Sequence, residues 1–173
     1  MTLIVETGTG SGSAESYASI ADADAYQTAR GNTLWTGLLE LEKEQALRRA
    51  TAFMSQIYRM RWAGYRMSEV QALDWPRAYV PIPDVVGIYR GTSFVANNSV
   101  PIVVKNACIE LAYEAAGGDL NPPATQGVVS KEVGPIKVVY DKDSPPGKRF
   151  PAVDAMLAPY LSYGSNTMKL VRM

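Results

Sequence analysis

Histidine is absent from this chain of 173 residues, and cysteine occurs once. Without histidine, the usual proton shuttle near neutral pH is missing, together with His-ligated metal sites and every Ser-His or Cys-His nucleophile pair. The lone Cys108 has no partner for an intrachain disulfide and falls inside a helical apolar pattern. It is expected as a buried, reduced thiol, which suits a reducing compartment. Long apolar runs are also missing, and the first twelve residues lack a basic segment followed by an apolar one. That pattern points to a soluble, non-secreted protein with no membrane partner. Excess charge of either sign is missing too: 17 basic residues balance 17 acidic ones, so only local patches could attract nucleic acid. The expectation is no enzyme, no metal and no cofactor.

The chain is long enough to bury a core without disulfide or metal staples, and 47% of it is hydrophobic. Residues 1–18 read as an N-terminal arm, with a short extended piece from Leu3 to Glu6 and a flexible Gly/Ser/Thr linker from Thr7 to Ser13. Ser19 is a good N-cap with Asp22 as its capping-box partner, so a helix is expected up to Gly31, packing through Ala25, Tyr26 and Ala29. The clearest periodicity runs from Glu40 to Tyr58, where Ala46, Leu47, Ala50, Phe53, Met54 and Ile57 share one face. Glu40, Glu42 and Glu44 open that helix and complement its dipole. A short helical turn is expected over Ser68 to Ala72, and Pro76 then imposes an extended exit.

Residues 79–99 carry Pro81, Pro83, Gly87 and Gly91 and read as a long surface loop with short β segments around Val85 to Tyr89. Loops of that length in a small domain are usually functional or packed on a partner. A further helix opens at Pro101 and closes at Gly117-Gly118, apolar on most sides and therefore central. The period then changes to two, giving a β-hairpin over residues 128–140. A last helix begins near Pro151 and ends around Pro159, and residues 163–173 form a tail. The fold class is mainly α: a small bundle of three to four main helices, residues 19–162, with a β-hairpin, a long loop and extended arms.

Candidate chemistry is sparse. Gly8 to Gly12 lacks the Lys-Ser/Thr ending of a phosphate loop. Asp22 with Asp24 and Asp141 with Asp143 have neither a shared helix face nor a calcium-loop pattern, and read as caps or solvated charges. The strongest segment holds Arg48, Arg49, Arg59, Arg61 and Arg66 with no acid between them, interleaved with Phe53, Tyr58, Trp62 and Tyr65. Arginines and aromatics in such a mixture can grip phosphates and stack single-stranded bases. The competing account has the aromatics packing inward and the arginines pairing with Glu40, Glu42 and Glu44 of the same or a neighbouring subunit.

In order, the pieces are Ser16-Tyr17-Ala18-Ser19 with Ala21 to Tyr26, Glu44 to Thr51, Trp75-Pro76-Arg77, Pro101 to Ala116, Val133-Gly134-Pro135-Ile136 and Val138-Val139-Tyr140. This order resembles the head-to-tail connector (adaptor, or head-completion) proteins of tailed bacteriophages over nearly the whole chain. Some relatives with the same N-terminal pattern carry a label likening them to a primosomal single-stranded-DNA-binding protein. The resemblance implies a virion structural protein that forms a ring, a dodecamer, in the virion neck after assembly in the bacterial host cytoplasm. Its implied partners are further copies of itself, the portal protein, the next neck, stopper or tail protein, and double-stranded DNA passing without sequence specificity. The tail residues Met168, Lys169, Leu170, Val171, Arg172 and Met173 would dock on the portal, and Lys131, Glu132, Lys137 and Tyr140 would join neighbouring subunits through the hairpin. A single-stranded-DNA-binding replication module using residues 48–66 is the alternative.

Overall fold

The computed structural model describes residues 2–86, 92–121, 130–133, 136–139 and 148–162. Two long helices, α3 (Glu40–Tyr58) and α4 (Ile102–Gly117), make the most extensive contact in the fold. Around them pack α1 (Ile20–Ala29), the single turn α2 (Thr33–Thr36), and α5 (Pro151–Leu157) followed by a 3₁₀ turn, Ala158–Tyr160. Three separate antiparallel strand pairs complete it: β1 (Tyr65–Arg66) with β2 (Arg77–Ala78), β3 (Pro81–Val86) with β4 (Thr92–Phe94), and β5 (Ser130–Val133) with β6 (Ile136–Val139).

Local chemistry sets the helix starts. Ser19 Oγ accepts the Asp22 N–H at 3.0 Å, and Asp22 Oδ2 accepts the Ser19 N–H at 3.3 Å, the reciprocal capping box expected from sequence. At α3, Glu42 reaches back to accept the Leu39 N–H at 2.8 Å, satisfying a donor that the first turn leaves free. Ala46, Leu47, Ala50, Phe53 and Met54 are buried as their spacing predicts, whereas Ile57 is 41% exposed and Thr51 and Tyr58 take core positions instead. Helix α4 buries Val104, Ala107, Cys108, Ile109, Leu111, Ala112 and Ala115, so it is central. Fully burying a side chain such as Leu47 contributes about 1.5–3 kcal/mol, and the α3–α4 seam gathers many of them. Burial also pushes the Cys108 thiol pKa up, while Thr51 Oγ1 lies 3.3 Å from its sulfur.

Several expectations need correction. Helix α1 packs through Ala23 and Gln27, with Ala25 and Ala29 exposed, because the Gln27 amide donates to the Ile109 carbonyl at 3.1 Å. Residues 68–72 form bends and no helical turn. Residues 79–99 hold a strand pair, Pro81↔Phe94 and Ile82↔Ser93, that shifts register before Val86↔Thr92. The N-terminal residues are no free arm. Val5 bridges Ser16, and Ala14, Tyr17 and Ala18 are buried. The fully buried Glu6 accepts the Gly8 and Gly10 N–H groups on one carboxyl oxygen, at 2.8 and 3.0 Å, and the Ser11 N–H on the other at 2.8 Å. The Gly/Ser run is thus a clasp wound around a carboxyl group. Gly8 is required there, since its φ is +110° and a Cβ would sit 2.1 Å from the Asn98 carbonyl oxygen.

Candidate functional site

The arginine segment divides on folding. Arg48 bridges two acids, Nη1 to Glu44 at 2.9 Å and Nη2 to Glu15 at 3.0 Å. The hydrogen bond from Arg48 is the main reason the Glu15 carboxyl lies below the usual range, and Glu15 in turn raises Arg48. Arg59 pairs through Nε with Asp74 at 2.8 Å, and that carboxylate is 1% exposed. Arg61 lies over the Tyr58 ring, and Arg66 donates to the Gln71 carbonyl at 3.3 Å. Exposed Arg49 has no hydrogen-bond or ion-pair partner among the described residues.

The aromatics that interleave them turn inward. Phe53 meets Phe150 edge-on at 5.5 Å, Trp62 packs between Tyr58 and Trp75, and Tyr160 closes on Trp75 at 5.9 Å. Tyr58 donates to Asp154 at 2.8 Å, and burial, then that bond, pushes its phenol well above the ordinary range. Pairing and inward packing, the competing account of residues 48–66, therefore describes Arg48, Arg59, Phe53, Tyr58 and Trp62. The acids are Glu15, Glu44 and Asp74 rather than Glu40 and Glu42. Only Tyr65, 73% exposed, keeps its ring in solvent.

A different set of aromatics is presented outward. Tyr79 is 70% exposed and Phe94 51% exposed, and they meet edge-on at 6.3 Å, with Tyr65 on the neighbouring strand pair opposite Ala78. Tyr79 has φ 59°, a left-handed conformation that costs a bulky residue about 1–3 kcal/mol. Its neighbours impose it. Ala78 is held by β1, while buried Val80 accepts the Val95 N–H at 2.9 Å. Gly64 comes so close beneath that a Cβ would fall 2.1 Å from the Ala78 oxygen. Arg77 fixes the base of this turn: its guanidinium is buried and donates to the carbonyls of Ala63 at 2.8 Å, Gly64 at 2.7 Å and Asp74 at 3.2 Å. Burial lowers its pKa, and its donors are spent on backbone oxygens inside the fold.

Of the remaining candidates, Glu132 stands opposite Lys137 and Lys131 opposite Val138 in β5–β6. Tyr140 and the tail residues Met168 to Met173 lie outside the described residues. Among the described residues, no three His, Cys, Asp or Glu side chains cluster as metal ligands, and no helix is long and apolar enough to cross a membrane. Tyr79 and Phe94 were missed in the sequence as individual residues, although the length of their segment pointed to a loop either functional or packed on a partner.

The family described as "Putative DnaT-like ssDNA binding protein" matches the chain over residues 1–173. No curated protein and no solved structure matches it.

Proposed function

The chain belongs to this DnaT-like family, and on that premise we propose that it binds single-stranded DNA by stacking bases on the Tyr79–Phe94 face. The observation that carries the reading is the exposed edge-to-face pair held out on a left-handed backbone at Tyr79, with Tyr65 close by in the chain fold. Every base has a π-face, so such a platform is tolerant of sequence. Among the described residues, Arg48 and Arg59 are paired with acids of the same chain and Arg77 with backbone carbonyls, so these three cations are not offered to phosphates. The role is one of binding, without turnover.

Fluorescence anisotropy with a labelled single-stranded oligonucleotide tests this. Tyr79→Ala and Phe94→Ala should each weaken binding by about 1–3 kcal/mol, the worth of one stacked base. The salt dependence should be shallow, since few phosphates are neutralised. An oligonucleotide that stays unbound at low salt, or one held equally well by both variants, would remove the platform.

A second reading rests on a separate observation. Met60 is 91% exposed, Val70 71% and Met67 44%, large apolar side chains that a subunit contact would cover. On this reading the protein is a head-to-tail adaptor of a tailed bacteriophage, ringed as a dodecamer beneath the portal in the virion neck. Residues 168–173 would dock on the portal, and the next neck or tail protein would bind below. Mass photometry of the purified chain with and without portal protein decides it: a ring or a portal complex is expected, and a monomer in both samples rules it out.

A further inference from the structure

Beside the aromatic pair lies a cleft of about 440 Å³ lined by Thr7, Gly8, Thr9, Met67, Pro76, Asn97 and Asn98. Its volume is in the range of small-molecule sites. One wall is the N-terminal clasp, fixed from within by Glu6 and from outside by the Ala72 N–H, which donates to the Ser11 carbonyl at 3.0 Å. The opposite wall follows β4, and Gly8 lets the two walls touch at Asn98. Its apolar lining is Met67 and Pro76. The rim is polar: the side chains of Thr7, Thr9, Asn97 and Asn98 have no hydrogen-bond partner among the described residues.

We infer that this cleft is a nucleobase pocket that adds base preference to the stacking platform, an inference that rests on the single-stranded-DNA reading. Met67 is two residues beyond Tyr65, and Asn97 three beyond Phe94, so the reach of the chain keeps each within at most about 11 Å of its ring-bearing residue. A strand stacked on Tyr79 and Phe94 thus delivers its next base to the cleft. Met67 and Pro76 offer apolar surface to a base's face, and two amides with two hydroxyls suit its hydrogen-bonding edge. Carboxamides pair with adenine through its amino group and a ring nitrogen, one donor and one acceptor each. Adenine is therefore the preferred occupant. Charge plays no part, because none of the seven lining residues is ionisable.

The test compares labelled dA and dT homopolymers of equal length on the full chain. Wild type should favour dA by about tenfold, the scale of one good two-point contact. The double variant Asn97→Ala/Asn98→Ala should lose that preference while holding dT as before, and Tyr79→Ala should weaken both polymers alike. Equal wild-type affinity for the two, or a preference that survives the double substitution, overturns the pocket and leaves the stacking platform standing. Absence of binding to either polymer overturns both. Circular dichroism melting of the double variant checks that its fold is intact, and Thr9→Val, which removes one rim hydroxyl, should reduce the dA preference in part.

Discussion

Tyr79 occupies a backbone region that suits glycine, yet it carries a large ring into solvent. Replacing it with glycine relieves about 1–2 kcal/mol of left-handed strain, against about 0.5–1.5 kcal/mol for the lost ring pair. Tyr79→Gly should therefore melt within a few degrees of wild type while losing oligonucleotide affinity, a separation that thermal melting and anisotropy read directly. None of this was visible in the sequence, because the turn depends on the close approach of Gly64, fifteen residues earlier. The Arg59–Asp74 pair is hidden for the same reason, being a contact across a chain reversal. Tyr26 offers a pH test. Burial, then its 2.8 Å hydrogen bond to Glu110, pushes its phenol from 10.0 up to about 12. The folded state holds this proton more tightly, so the stabilisation is complete below pH 10 and is lost as pH rises through about 12. The melting-temperature gap between wild type and Tyr26→Phe should accordingly shrink across that window.

Among the elements, the long helices and the period-two hairpin β5–β6 were legible, whereas β1–β2 was not and β3–β4 showed only as short β segments expected around Val85 to Tyr89. Helices α3 and α4 announce themselves through apolar spacing and, at α1, through a reciprocal cap. Strands β1 and β2 are two residues each, too short to show alternation, and β3 contains Pro81 and Pro83. The turn α2 is four residues long and buries only Trp35, whose indole N–H donates to Asp24 at 2.7 Å. The N-terminal clasp was misjudged because composition alone made Gly8 to Gly12 look flexible, while its order comes from one acid. Glu6→Gln tests that origin. The amide keeps one acceptor but turns a donor toward a backbone N–H, so a loss of about 2–4 kcal/mol in urea unfolding is expected.

At the scale of the whole molecule, the last described residues are drawn back onto the segment that follows α3. Tyr58 reaches Asp154 and the Ser162 hydroxyl reaches the Arg61 carbonyl, contacts 96 and 101 residues apart in sequence. Trp62 bridges Leu161, and the Ala63 N–H donates to the Tyr160 carbonyl at 2.9 Å. The aromatic stack beside the candidate surface is thereby finished by the last described turn. That arrangement has a consequence for synthesis on the ribosome. At about 5–20 residues per second, roughly 5–20 s pass between the emergence of Trp62 and that of Leu161. During that interval Phe53, Tyr58, Trp62 and Trp75 lack their final cover, so these rings stay open to water until the closing turn arrives.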